Sequence, residues 1–281
     1  MSAKVKEWSF GQRGLLYDRE WMIISESGIA LSQKRETNLC LIRPTLDLLE
    51  QTLKLEYPDM TTFYLPLNCK SHQCPEEACT SKVCGDRVRG LDCGDAVAEW
   101  VSVALQRSGC RLIQQTKNDQ RTSKLKDSSQ ASSKTACSLS LANESQYLLI
   151  SHKSVEMLRD RILERQLEDS PVADIDDVPG ISNLVGRFRG NLIVSGGEAF
   201  EEDSWNTIEI GMNTFFSQGS CTRCQMICVD QTTGQRGLEP LKSLASWRGR
   251  KVPFGIHLQS STGTAGGKLR VGDHVRVLTQ K

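Results

Sequence analysis

The run GSCTRCQMICVDQTTGQR, residues 219–236, sets three cysteines, Cys221, Cys224 and Cys228, within eight positions. Its middle, CQMICVD, reads as a strand that stops at a turn from Asp230 to Gly234. Strand alternation puts Cys224, Met226 and Cys228 on one face and Gln225 and Ile227 on the other. Structural zinc wants four ligands, usually two CxxC pairs or one pair with histidines. CTRC supplies one knuckle and there is no second, while Cys69, Cys74, Cys79 and Cys84 repeat at a spacing of five that matches no zinc signature. The four histidines, His72, His152, His257 and His274, stand alone in the sequence. A redox pair needs its CxxC at the start of a helix, where the helix dipole lowers a thiol pKa; here the pair runs into a strand. Packing suits Cys228, since a free cysteine behaves as a small buried hydrophobe. There remains one thiolate at a strand mouth, with Arg223 beside it to favour the ionised form, acting as a soft-metal ligand or a nucleophile.

Similar short runs surround this one. YLLIS, NLIVSG, TIEIG, PFGIHLQ and HVRVLTQ are strand-like and parted by Gly- and Thr-rich turns, with one predicted helix, SVEMLRDRILERQL. Nearer the N-terminus, EWMIISESGIALSQ predicts a hairpin, and TLKLEYPDMTTFYLPL a second that turns at Pro58-Asp59. CGDAVAEWVSVALQRSG spaces Ala96, Val97, Trp100, Val101 and Leu105 as an amphipathic helix, with Asp95 as N-cap and Gly109 as closure. Between the halves, TKNDQRTSKLKDSSQASSKTA (116–136) has almost nothing apolar to bury and reads as a flexible connection. The expected fold class is therefore mainly β with a few helices (α+β), with barrel-like sheets. Three blocks follow: residues 1–115, a polar linker over 116–137, and residues 138–281.

The chain has 281 residues and a formal net charge of +1. That length suffices for one large domain or two moderate ones. So balanced a charge provides no global field to hold nucleic acid or a membrane, so an anionic ligand needs a local arginine cluster. No apolar run approaches the roughly 20 residues that span a bilayer. MSAKVKEWSF has no apolar signal core. With eleven scattered cysteines, an odd number, the expectation is reduced thiols and a cytoplasmic location.

Two segments offer that cluster. GLLYDREWM places Asp18 and Arg19 before an apolar strand, and GRFRGNLIVSG places Arg187, Arg189 and Asn191 before another. A guanidinium at a strand mouth presents a planar fork that matches phosphate oxygens. Alternation sets Arg187 and Arg189 on one face, and Gly190 lets a ligand approach the backbone.

Taken together, LLYDREWM, LSQKRETNLCLIRP, VCGDRVRGLDCGDAVAEWVS, RFRGNLIVSGGEAFEEDSW, IGMNTFFSQGSCTRCQMICVDQTTGQR and KVPFGIHLQ with LRVGDHVRVL resemble the MOSC-domain family. The likeness covers nearly the whole chain and is strongest to the C-terminal part of the molybdenum cofactor sulfurases. It implies a MOSC N-terminal β-barrel-like domain packed with a MOSC β-barrel domain. It also implies that the chain holds Mo-molybdopterin, a pterin dithiolene with a terminal phosphate, while a persulfide sulfur replaces an oxygen ligand on the metal. Cys224 matches the family's molybdenum ligand, with Cys221 beside it as a second catalytic thiol. Arg19, Arg189 and Asn191 match positions lining the pterin-phosphate site; Arg187 is added from its place beside Arg189. Asn143, Glu144 and Ser145, in SLANESQYLLIS, match a ligand-facing loop. By the same resemblance, a pyridoxal-phosphate desulfurase domain supplies the sulfur, and xanthine dehydrogenase and aldehyde oxidase receive the finished cofactor. The family's first strand carries a Lys-Ser-Cys step, and AKVKEW aligns just after it, so the expectation is of a chain that begins past that step and lacks the pyridoxal-phosphate domain. Alternatives are a molybdenum-dependent reductase of N-hydroxylated compounds, which needs a cytochrome electron donor, and a non-catalytic pterin-binding or sulfur-carrier module.

Overall fold

A computed structural model describes residues 5–68, 79–83, 86–123, 136–142, 144–169, 178–261 and 267–281, the backbone alone at 79–83, 86 and 87. Cys69, Cys74, Cys84 and Asn143 lie outside the described residues. The chain divides into two compact units: residues 12–144, and residues 145–281 joined by residues 4–11. Strand β1 (Glu7–Gly11) therefore belongs to the second unit, where it pairs antiparallel with a strand from the far end of the chain.

In the first unit, the short β2 (Gly14–Leu15) precedes β3 (Trp21–Ile24). A three-stranded antiparallel sheet follows, made of β4 (Arg43–Asp47), β5 (Thr52–Glu56) and β6 (Phe63–Pro66). A second sheet has the order β3-β9-β8-β7, from β7 (Cys79–Val83), β8 (Asp86–Asp92) and β9 (Arg111–Gln115). Helix α1 (Asp95–Ala104) buries Val97, Trp100, Val101 and Ala104, the three- and four-residue spacing of one helical face. That face joins Leu53, Leu55, Leu65, Leu67 and Leu112 in one core, and the buried Trp100 indole donates to the Thr61 carbonyl at 2.7 Å. The hairpin at Pro58-Asp59 forms as expected, with Leu53 opposite Leu65. The other predicted hairpin keeps its first arm, but its return is a single bridge from Ile24 to Ala30. Asp95 is the first helical residue and Gly94 the cap.

The polar stretch after β9 is packed in its first eight residues. Asp119, Arg121 and Ser123 are buried, and the Arg121 Nη1 donates to the carbonyls of Ser140 (2.8 Å) and Ala142. A buried guanidinium is tolerated when carbonyls satisfy it, so this segment is held by hydrogen bonds where composition alone reads flexibility. Residues 124–135 lie outside the described residues.

In the second unit, β10 (Tyr147–Ser151) leads into α2 (His152–Asp169) and α3 (Ile181–Phe188), then to β11 (Leu192–Val194), which lies parallel to β10. A parallel pair requires such a crossover. Next come β12 (Trp205–Ile210), β13 (Asn213–Thr222), α4 (Leu241–Arg248), β14 (Pro253–Ser260), β15 (Gly267–Arg270) and β16 (Val275–Gln280). Six strands form one sheet in the order β11-β10-β14-β13-β12-β16. Strand β14 lies inside it, buried on both faces from Phe254 to Leu258, as its nearly continuous apolar sequence requires. The helices cover a core of Ile150, Leu158, Ile162, Leu184 and Phe254, with Phe188 stacked on Phe254 at 4.0 Å between centroids. Phe10, from β1, packs edge-on against Tyr147. Mostly strands with four α-helices among the described residues, the fold is the expected mainly β, α+β class.

Candidate functional site at the end of strand β13

The segment CQMICVD is not a strand. Strand β13 pairs with β14 until Thr222 meets Pro253, which has no N–H and starts its strand there, so the ladder stops. The chain turns instead into a 3-10 helix over Gln225–Cys228, with Cys224 as its cap. Burial then follows the turn: Ile227, Cys228 and Val229 are buried in succession, while Cys224 is exposed. Cys228 is the packing cysteine that composition favours, and burial raises its thiol pKa.

Cys221 is the other kind. It is the last residue but one of β13, buried at 8% exposure, and Arg223 Nη1 lies 3.0 Å from its sulfur. Burial alone would raise its pKa, yet a side-chain hydrogen bond with His257 and the Arg223 charge bring it below the ordinary thiol value. His257 stands on β14 opposite Gly219. Its Nδ1 is 2.7 Å from Ser145 Oγ, and Ser145 sits just before β10, on the other side of β14. Three consecutive strands of the sheet therefore bring Cys221, His257 and Ser145 together. His257 is isolated in sequence and was not among the expected site residues; an apolar strand interrupted by one polar residue is the signal that marks it.

Arg223 also holds the next element. Its Nη2 donates to the Phe188 carbonyl at 2.5 Å, and the guanidinium carbon lies 4.9 Å from the Phe188 ring centroid. Its buried Nε has no hydrogen-bond partner among the described residues. Phe188 ends α3, and the following Arg189 is the left-handed cap, φ 55°. Arg189 is exposed and its Nη1 reaches 3.7 Å from Met226 Sδ, in the turn that Cys224 opens. Cys221, Cys224, Arg223 and Arg189 thus share one corner of the second unit.

Arg187 and Asn191 do not present their side chains there. Arg187 lies within α3, not on a strand, so it does not share a face with Arg189 as alternation suggested. It is buried and bonded to Asp230 (2.8 Å), Asn183 (2.6 Å) and the Glu239 carbonyl. Burial opposes ionisation of Asp230, but hydrogen bonds from Asn183 and the Thr232 and Thr233 amides, with the Arg187 charge, pull its pKa down to about 2. Asn191 turns its amide on β10, accepting from the Leu148 N–H at 2.7 Å and donating to the Gln146 carbonyl at 3.2 Å. Gly190 serves the same junction. A Cβ there would lie 2.5 Å from Ile150 Cγ1, so the glycine admits β10, not a ligand.

Arg19 and Glu144 belong to the first unit. Arg19 adopts φ 56°, pairs with Asp18, and accepts through its carbonyl from the Leu141 N–H at 2.9 Å. Arg121 holds the carbonyls on either side of Leu141, so two arginines of this unit fix the approach to the exposed Glu144.

Among the described residues, no three His, Cys, Asp or Glu side chains converge on a common metal position. The corner fits a different arrangement. Cys224 offers one exposed soft donor to a metal that brings its remaining ligands with it, and Arg189 and Arg223 supply positive charge beside it. No helix among the described residues is long and apolar enough to cross a membrane.

Two family models match the chain. A model described as the MOSC domain matches residues 136–276, about half the chain, and one described as the MOSC N-terminal beta barrel domain matches residues 1–108. The chain belongs to the MOSC-domain family. Curated relatives of this MOSC chain carry the name molybdenum cofactor sulfurase. The Danio rerio protein is 42% identical over 276 residues, 98% of this chain and 32% of its own length. The Bos taurus protein is 41% identical over 259 residues, 92% of this chain and 28% of its own. The Bombyx mori protein is 40% identical over 253 residues, 89% of this chain and 29% of its own. This MOSC chain therefore spans about a third or less of these relatives.

Proposed function

We propose that the chain is the cofactor-holding part of a molybdenum cofactor sulfurase. The observation that carries this reading is the exposed thiol of Cys224, set at the head of a turn that two arginines flank. In a family whose relatives bear that name, such a corner suits a metal already chelated by a dithiolene. When bound, the cofactor supplies the metal centre at which an oxygen ligand is exchanged for sulfur. Cys224 holds that centre through its thiolate. Arg189 binds and orients the anionic end of the ligand. Arg187 and Asn191 act at one remove: Arg187 fixes α3, whose end carries Arg189, and Asn191 ties the strand after it to β10.

The other two-thirds of the relatives' length is where a pyridoxal-phosphate desulfurase domain would reside and generate the persulfide. Xanthine dehydrogenase and aldehyde oxidase are the proposed recipients, and the cytoplasm, where thiols stay reduced, the proposed location. The test is to express the chain in a cofactor-making host and measure bound molybdenum together with the fluorescence of the oxidised pterin. Wild-type protein carries both, and Cys224→Ser loses molybdenum without losing its fold, because an exposed side chain contributes little to stability. Full molybdenum in that variant removes Cys224 from the role.

A further inference from the structure

Past the last rung of the β13–β14 ladder, the chain makes one tight turn that the proposed cofactor site does not use. The Val252 N–H donates to the Gly249 carbonyl at 3.0 Å, which closes residues 249–252 and sets Arg250 and Lys251 at the tip. Both are exposed, and neither has an ion pair among the described residues. The turn is firmly held. Gly249 (φ 77°) and Val252 (φ 44°) take left-handed backbone, which a β-branched residue adopts only when its surroundings impose it. Val252 is buried in the core that contains Leu244 and Phe254, and its carbonyl accepts from the Arg223 N–H at 3.0 Å. That bond continues the register in which Thr222 faces Pro253, so Arg223 faces Val252. One step further, Lys251 stands opposite Cys224, whose backbone is still extended (φ −131°, ψ 179°). Opposed residues share a face of a ladder, and successive pairs alternate. Burial agrees: Val252 is enclosed, whereas Thr222, Cys224 and Lys251 are exposed. An unpaired cationic turn therefore lies beside the exposed thiol.

Three segments meet at this corner: 187–191, 221–226 and 249–253. They contain Arg187, Arg189, Arg223, Arg250 and Lys251 and no Asp or Glu, in a chain whose charges otherwise nearly balance, at +1. Asp230 neutralises Arg187, and Arg189 is assigned to the small ligand, so Arg250 and Lys251 are the surplus. A convex turn tip does not enclose a small molecule, which needs a concave site, but an extended chain can lie along it. Two unpaired cations are too few to grip nucleic acid at physiological salt or an anionic membrane, which takes a cluster of roughly four to eight. We propose that Arg250 and Lys251 dock an acidic segment of the partner protein that meets Cys224. This rests on the reading of Cys224 as the working thiol of the corner, and it gives that partner a chemistry: two or more carboxylates on an extended stretch. The guanidinium grips one carboxylate through its planar fork, and the ammonium adds a point charge for the next. Exposed pairs of this kind guide encounter and orientation more than they add affinity, and salt weakens them.

The whole 281-residue chain, free of cofactor, would be offered two peptides that differ only in charge, Gly-Asp-Glu-Asp-Gly-Cys and Gly-Asn-Gln-Asn-Gly-Cys. Each carries its cysteine as a pyridyl disulfide. A protein thiolate that attacks it forms a mixed disulfide and releases thiopyridone, and peptide mass spectrometry reads the label on Cys224. At low ionic strength the acidic peptide should label Cys224 about 10-fold faster than the neutral one, and the preference should vanish in about 1 M salt. The variant carrying Arg250→Glu and Lys251→Glu should bring the ratio to about 1 or below. Arg276→Glu makes a charge reversal on the far edge strand β16 and should keep the preference. A ratio of two rates cancels any change in the thiol's own reactivity or in the fold, so a merely structural turn would not move it. Equal rates in the wild type, a ratio unchanged in the double variant, or the same loss in Arg276→Glu overturns the proposal. So does binding to a DNA duplex or to phosphatidylserine vesicles that the double variant loses, because the turn then serves another class of partner. Molybdenum measured in the cofactor-making host separates the two ideas. Full molybdenum in Cys224→Ser sinks the cofactor reading, yet a charge-dependent ratio in the wild type still supports the dock. Molybdenum lost in Cys224→Ser with no charge dependence overturns the dock alone.

Discussion

Two turns follow β13 within a dozen residues, and they spend their chemistry in opposite ways. The turn after Asp230 closes on itself: its carboxylate accepts from Asn183, Arg187 and the Thr232 and Thr233 amides. The turn opened by Cys224 leaves a thiol exposed, with Arg189 beside Met226. Arg187 and Arg189 stand two positions apart in one sequence motif, yet one is buried as a brace and the other exposed as a contact. Charge at a site is informative only once its neighbours are counted. An arginine already enclosed by acceptors stabilises the fold, and one at a surface corner also faces solvent.

Substitutions should separate the two turns, beginning with the greatest effect. Arg187→Ala leaves the Asp230 carboxylate without its counter-charge and should lower unfolding stability by about 3 kcal/mol, read by urea denaturation. An unchanged midpoint would break the contrast. Asn191→Ala strips partners from the Leu148 amide and the Gln146 carbonyl and should cost about 2 kcal/mol in the same assay. Acid sharpens the picture further. Because the folded Asp230 pKa is depressed to about 2, its contribution is complete above the ordinary carboxylate range and fades as pH falls from about 4 toward 2. Asp230→Asn should flatten that part of the stability profile, and an identical profile would show that the carboxylate does not set it. The smallest stability effect belongs to Arg189→Ala, within about 0.5 kcal/mol. Its consequence should appear in ligand binding, as weaker retention of the phosphorylated pterin on dialysis.

Much of the β framework was legible because apolar runs and turn residues carry it. β14, α1, α2 and the Pro58 hairpin all lie where their periodicity puts them. The stretch 224–228 misled for a local reason: alternation is necessary for a half-buried strand but does not supply a partner, and Pro253 denies it one. GRFRG misled likewise, because eight residues of α3 are too few for a three-to-four spacing to stand out from alternation. Arg121 was invisible for another reason. Its role depends on the carbonyls of Ser140 and Ala142, 19 and 21 positions along the chain, and no local pattern announces such partners. Cys221 and Cys224 differ by three positions and one strand end, which only the ladder between β13 and β14 reveals.

The placement of β1 has a bearing on how the molecule is made. Lys268 bonds Glu7 across 261 positions of sequence, so one edge of the second unit joins a strand synthesised early to one synthesised late. At roughly 5–20 residues per second on the ribosome, that early strand waits on the order of 10–50 s for its mate. During the interval the Phe10 ring and an unzipped row of amides are open to any passing chain. Severing the polypeptide between residues 11 and 12 would strand this piece from its own sheet, so no single cut yields two complete halves.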